Sequence, residues 1–495
     1  MRALAGILAT ALSVFGGPAW GQAAPPAMQD QLGTLSKTAD QIDPMPELEE
    51  FCEGIGPRLT GSVAAHKAEN QVLAHMREIG LQQVHSESWT LPRAWKRGYA
   101  RASLVAPFAM PIPIAAYGWS GSTPQHSGPV PVVLVDANDV AEHLDSLIRS
   151  HGAGWRGKAL LIASNPDKPM RAYSQLLPLL QAATAAHAVV VLRHDTRPGN
   201  GIIHSEPLAV ALPETIDTKL IPAVDLPVEQ QKLIEHLLQL NRPVRINIDV
   251  GNSFSAGPVP SNNIVGEITG AIHPKEIVLV GAHLDSWDLG TGATDDGFGA
   301  AAVLGAAQAL IRAGLHPERT IRFVLFTGEE EGLLGSRAYV RQHAAEIGNI
   351  VAAFALDWGA GPIIQLPTAG HPELLPLLTH FNDMTPQLEL KPPTEGWLFM
   401  TDAYAFTLEG LPGIAPLVRA PGYFEQAHSA EDTLDKVSSA DLRQATKVLA
   451  MASFFLADTD KLPPGHFTPA QTAGALILGK QKPMLEVFGL WPFQE

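Results

Sequence analysis

Three apolar runs constrain this chain more than anything else in it. EIVLV (Glu276–Val280), TIRFVLF (Thr320–Phe326) and IVAAFAL (Ile350–Leu356) are continuous, short and rich in β-branched and aromatic residues. A strand that is apolar on every residue must be covered on both faces, and that is the habit of a parallel sheet between helices. The segments between the runs fit that role. FGAAAVLGAAQALIRAG reads as a helix stopped by Gly314, and GLLGSRAYVRQHAAEIG as a second helix. GIAPLV near Gly413 reads as a further strand. The expected fold is α/β, with a mostly parallel central sheet and helices on both faces.

The chain is 495 residues long, enough for more than one domain. Upstream of the sheet, SVAAHKAENQVLAHMREIG places Ala65, Ala68, Val72, Met76 and Ile79 at helical spacing before Gly80. From about Arg101 the texture changes to proline, glycine and β-branched residues, with KALLIAS and AVVVLRH as buried-strand candidates around a helical stretch. This predicts an inserted β-rich module over residues 101–257, splitting a domain formed by residues 24–100 and 258–460. The proline-rich tail, 461–495, is expected to wrap the surface.

The first residues, MRALAGILATALSVFGGPAWGQAA, carry one arginine, an apolar run and then small residues. They read as a signal peptide over residues 1–23, which predicts a secreted or periplasmic protein. The apolar run is too short to span a bilayer, and nothing later is longer. Cys52 is the single cysteine, so no intramolecular disulfide can form, and its apolar surroundings read as core. The net charge of −16 argues against nucleic acid or an anionic membrane surface as partner.

In open α/β sheets ligands bind beyond the carboxyl ends of the strands, and the chemistry-bearing residues fall there. His283 and Asp285 follow the first run. Glu329, Glu330 and Glu331 follow the second, and Asp357 the third. Asp295 and Asp296 sit in a glycine-rich loop before a helix, and His428 follows GIAPLV. Each alone is an ordinary loop residue or helix cap. Together they put two imidazoles and several carboxylates at one edge, and such acids repel unless a cation lies among them. Mixed imidazole and carboxylate donors suit zinc, and two ions sharing a carboxylate account for the number of acids. The residues by themselves leave open which of Asp295 and Asp296 is shared and which two of the three glutamates act.

The motifs HLDSWD, GATDDG, GEEEGLLGS, LDW and HSAEDT resemble the co-catalytic di-zinc exopeptidase family of aminopeptidases and glutamate carboxypeptidases, nearest its plasma glutamate carboxypeptidase branch. GIGPRLTGS and WKRG (Trp95–Gly98) resemble the same branch, and the middle module matches an inserted apical domain by position. The resemblance implies His283 and Asp357 on one zinc, Glu330 and His428 on the other, and Asp295 bridging. It implies Glu329 as the general base, with Asp285 behind His283 accepting a hydrogen bond from its ring. Tyr423 would donate to the tetrahedral oxyanion. The loop of Ala427 and the stretch Thr394–Phe406 would line the pocket. Arg419 is a candidate for a substrate carboxylate, although a surface role fits it better.

The resulting expectation is a metallo-exopeptidase acting on dipeptides or short peptides. Its partners are a short peptide, with no nucleic acid and no membrane, and there is room for a homodimer. A glutaminyl cyclase-type acyl transferase on the same scaffold is disfavoured by the insertion and by HLDSWD. A receptor-like pseudoenzyme is disfavoured because every ligand position is filled. Both carboxypeptidase-like and aminopeptidase-like specificities fit the scaffold, so the terminus that is read stays open.

Overall fold

A computed structural model of the chain describes residues 27–493, apart from 165, 210, 398–399, 461 and 463–465. The expected leader lies outside these residues. The central sheet has six strands in the order Gln82–Leu91, Val259–Ile268, Arg319–Phe326, His273–His283, Ile350–Ala355 and Gly413–Ile414. The last three of its five pairings are parallel and the first two antiparallel.

Alternate residues of the apolar runs feed two separate cores, as a pleated strand requires. Val278 and Val280 pack with the helices Val63–Ile79, Phe298–Ala313 and Ser439–Asp458. Ile277 and Leu279 face the other way, with Tyr339, Val340 and Phe406 from the helices Leu334–Gln342 and Ala403–Leu408. Both faces are therefore covered. Gly80 and Gly314 close their helices in the left-handed conformation, where glycine carries no Cβ penalty.

Most of the segment between the first two strands of this sheet builds a second sheet of eight strands. Its middle, Val130–Val135, Ala159–Ile162, Val190–Leu192 and Ala223–Asp225, is parallel. On one side Arg245–Phe254 pairs antiparallel with Val130–Val135, and Trp95–Ala106 pairs antiparallel with Arg245–Phe254 in turn. This part holds more helix than its proline-rich texture implies, because its parallel strands need crossovers. Ala137–His151 makes the first crossover and Pro169–Ser174 with Leu176–Ala185 the second, while Val228–Gln239 leads from the last parallel strand to Arg245–Phe254.

The tail departs from expectation. It forms two helices, Pro469–Leu478 and Lys482–Val487, and buries Leu476, Leu485 and Leu490 in the core of the second sheet. The prolines mislead because Pro469 and Pro483 lie in the first turns of their helices, where a missing N–H costs little. Thr468 and Gln471 complete a capping box. Among the described residues no helix is long and apolar enough to cross a membrane.

One buried cation holds the glycine loop to the rest of the sheet. Arg58, fully buried, donates to the carbonyls of Leu284, Thr291 and Gly292 at 2.8 Å each and of Phe51 at 3.0 Å. Replacing it by a neutral side chain orphans several buried carbonyls at about 1–3 kcal/mol each. We expect Arg58→Met to lower the unfolding free energy by at least about 3 kcal/mol in denaturant titration. A loss below about 1 kcal/mol would show that these bonds do not hold the loop.

Candidate active site

Register at the carboxyl edge sets the site. His283 pairs with Phe326 and Gly281 with Ala355 in parallel, and the ladder runs on through Leu284 N–H to Phe326 and Leu356 N–H to Gly281. His283, the Glu329–Glu331 turn and Asp357 are thereby delivered to one edge, and the loops carrying Asp295 and His428 close over it. Two sets of donors result: His283 with Glu329 and Asp357, and Asp295 with Glu330 and His428. Within each set the donor atoms lie within 4.8 Å of one another.

Asp295 joins the two sets. Its Oδ1 is 3.2 Å from His283 Nε2 and its Oδ2 is 3.1 Å from His428 Nε2. Glu330 Oε2 lies 3.0 Å from the same His428 nitrogen. Asp296 is turned away and bound to backbone, accepting from His283 N–H at 3.2 Å and Gly299 N–H at 2.9 Å. The choice between the adjacent aspartates is thus made by the loop, which spends one of them on amides.

Asp285 meets His283 differently from expectation. The ring Nδ1 bonds the Asp285 backbone carbonyl at 3.1 Å, while the carboxylate stands 3.7 Å away. The tight turn after the strand folds the carbonyl under the ring. The carboxylate instead accepts from Thr60 at 2.9 Å and faces the amides of Glu329 and Glu330 at 3.5 and 3.4 Å. Its contacts place it under the glutamate turn more than behind the histidine.

His428 is held by the inserted sheet. Its backbone is left-handed at φ +62°, an uncommon state for a residue with a Cβ. Ser205 N–H donates to its carbonyl at 2.7 Å, and its Nδ1 lies 3.0 Å from the Ser205 carbonyl and 3.1 Å from Glu206. Arg97, from WKRG, bonds Ser205 Oγ at 2.6 Å and Asp288 of HLDSWD at 2.7 Å. Trp287 packs between Trp119 and His428. On the other side Asp432, from HSAEDT, accepts from Thr294 N–H at 2.6 Å and Oγ1 at 2.9 Å, tying the loop of His428 to that of Asp295. Gly290 is required at this junction, since a Cβ there would meet the Ser429 and Asp432 carbonyls at 2.5 and 2.6 Å.

The electrostatics are those of an acid cluster in a dry place. Burial, with neighbouring acids adding to it, pushes Glu329 well above the usual carboxylate range, Glu330 to about 7 and Asp357 to about 6. For Asp295 burial is outweighed by the two histidines, which hold it low. For His283 burial opposes the charge, but Asp285 and Asp295 overcome it and raise the imidazole. Glu330 Oε1 is buried with no hydrogen-bond partner. Two sets of three donors, an orphaned carboxylate oxygen and hydrogen-bonded backs to both imidazoles suit a pair of borderline cations such as zinc.

These groups open on a cavity of about 450 Å³, the size of a small-molecule site. Tyr423, Ala427 and Met400 line it, as do Asp295, Glu329, Glu330, Asp357 and His428. Arg419 does not: its side chain is exposed. The opposite wall, not anticipated, comes from Met170, Tyr173, Arg193 and Arg197 of the insertion and from Met484 and Phe488 of the tail. The i, i+4 spacing of Met484 and Phe488 was a visible helical signal there. Phe488→Ala should cost up to about 3 kcal/mol of stability and raise KM more than it lowers kcat. An unchanged KM would remove the tail from the substrate wall.

Residues 263–453 match peptidase family M28. Over 428 residues the chain is 27% identical to carboxypeptidase Q of Xenopus laevis, covering 84% of this chain and 86% of that protein. Human carboxypeptidase Q is 28% identical over 414 residues, with 83% and 84% covered. Among solved structures, a peptidase M28 precursor from Shewanella amazonensis SB2B superposes with a TM-score of 0.77 at 27% identity, covering 89% of this chain and 99% of that one. The zinc aminopeptidase BSAP of Bacillus subtilis shares the fold, with a TM-score of 0.60 at 21% identity and 84% and 94% covered. With the donor sets at the sheet edge, the chain resembles peptidase family M28 over residues 263–453 and carboxypeptidase Q over most of its length.

Proposed function

We propose that this chain is a secreted or periplasmic exopeptidase that holds two zinc ions and hydrolyses dipeptides or short peptides. The observation that carries the reading is Asp295, which offers one carboxylate oxygen toward each histidine, at 3.2 and 3.1 Å. His283 and Asp357 would hold one ion, Glu330 and His428 the other, with Asp295 shared. Zinc bound there supplies Lewis acidity toward a scissile carbonyl and acidifies water. Residues 101–257 would act as an apical domain over the carboxyl edge, and 1–23 as an export signal.

The chain's own residues do the rest. Glu329 is buried on the cavity wall with its pKa raised, which suits a base that takes a proton from the attacking water and returns it to the leaving amine. Tyr423, also on the wall, keeps its proton because burial and the neighbouring acids raise its pKa, so its hydroxyl can donate to the developing oxyanion. The cavity closes on side chains from both sheets and from the tail, so long chains and folded proteins are excluded.

Elemental analysis of purified protein is expected to find about two zinc equivalents per chain, with activity lost in chelator. Full activity without a tightly held metal would overturn the reading. Glu329 lies among the donors of the first set, so its role needs a separate test. Glu329→Gln should retain both metals and lose about 100-fold or more in kcat, whereas His428→Ala should lose metal. If Glu329→Gln sheds metal as His428→Ala does, Glu329 is a ligand and not the base. Casein should survive under conditions that hydrolyse a free dipeptide completely. Internal cleavage of casein would show an endopeptidase.

A further inference from the structure

The two imidazoles at the sheet edge are backed from different parts of the molecule. His283 Nδ1 meets the carbonyl of Asp285, in its own turn, at 3.1 Å. His428 Nδ1 meets the carbonyl of Ser205 at 3.0 Å and the carboxylate of Glu206 at 3.1 Å, both from the insertion. A carbonyl oxygen only accepts, so the neutral ring of His428 carries its proton on Nδ1. The Nε2 lone pair then faces Asp295 Oδ2 at 3.1 Å and Glu330 Oε2 at 3.0 Å. Electron-rich atoms in that arrangement call for a cation between them. A carboxylate behind the ring both fixes its orientation and strengthens it as a donor to such a cation.

The Ser205–Glu206 segment is itself pinned. Asp225 ends the inserted strand Ala223–Asp225 and is fully buried, and it accepts from His204 N–H and Asp195 N–H at 2.7 Å each. Gly118 N–H donates to the Glu206 carbonyl at 2.8 Å. Arg197 pairs with the Glu206 carboxylate and donates to the Ala427 carbonyl, next to His428, at 3.2 Å. Asp195, held at its amide by Asp225, accepts in turn from Arg197 N–H at 2.8 Å. One buried carboxylate thus fixes the backbone on both sides of the Arg197–Glu206 pair.

We propose that Glu206 and Asp225 are positioning residues for His428. They set how tightly the Asp295–Glu330–His428 set holds its ion, and the ion at His283 and Asp357 is indifferent to them, because His283 is backed from within its own turn. The insertion thereby governs one of the two metals. This rests on the two-zinc reading above and adds to it which part of the chain controls which ion.

The test equilibrates full-length, zinc-loaded protein against buffers of falling free zinc and reads retained metal by elemental analysis. Glu206→Gln keeps the shape without the charge, and Asp225→Asn can accept from only one of the two amides. Each should release one ion at about 10- to 100-fold higher free zinc than wild type, the scale for losing a group behind a metal ligand. Each should keep the other ion with the affinity that His428→Ala retains for its remaining zinc. Excess zinc should return kcat of Glu206→Gln toward wild type, because the donors themselves are intact.

A purely structural role predicts that both ions loosen together, and that result in either variant overturns the proposal. Unchanged release of both ions also overturns it, and leaves the two-zinc reading standing if the wild type holds two. A wild type that never holds more than one zinc sinks the two-zinc reading itself, a count that depends on no variant folding.

Discussion

Five carboxylates and two imidazoles meet at the carboxyl edge of the central sheet, in a place almost dry of solvent. Asp295, Asp296, Glu329, Glu330 and Asp357 are each less than a tenth exposed, as is His283. Like charges this close raise one another's proton affinity and oppose folding, and the strained, tied-down loops around them oppose the escape that repulsion would favour. A site of this kind is stable only if positive charge sits among its oxygens. That requirement links the fold to the chemistry, because the same cations that relieve the repulsion supply the Lewis acidity a peptidase needs.

Much of the rest of the molecule serves to hold those acids in position. Arg58 bolts the glycine loop by its carbonyls, and Asp432 ties that loop to the loop of His428. The inserted sheet does more than cover the site. Through Ser205, Glu206 and Arg97 the insertion orients His428 from behind and anchors Asp288, so contacts from outside the first sheet position one of the donors. HLDSWD is a motif for this reason. His283 faces the site, Asp285 braces the glutamate turn, Trp287 packs on His428 and Asp288 holds the insertion.

The cavity has two chemically different ends because two folding units build it. The carboxyl edge of the first sheet contributes oxygen donors, as strand-end loops in open α/β sheets do. The insertion and the tail contribute arginines, methionines and aromatic rings. A substrate spanning the cavity meets an acid-lined end and an end of apolar side chains mixed with paired charges, a combination that neither unit builds by itself.

What the sequence determined by itself was whatever depends on local pattern. Continuous apolar runs required a covered, mostly parallel sheet, helical spacing placed the flanking helices, and Gly80 and Gly314 ended two of them. Strand ends then identified His283, Glu329, Glu330, Asp357 and His428 as candidates, since position along a strand is a one-dimensional property. Family resemblance chose Asp295 over Asp296 as the shared ligand, and only the loop's hydrogen bonds supply a physical reason for it. The tertiary structure alone decided that Asp285 turns its carboxylate to Thr60, that the tail helices within residues 469–487 pack against the insertion, and that Arg193 and Arg197 line the cavity with the acids. These are contacts between segments far apart in the chain, made by side chains whose types are ordinary anywhere on a surface. Burial gives them their meaning, and burial is decided by the whole fold.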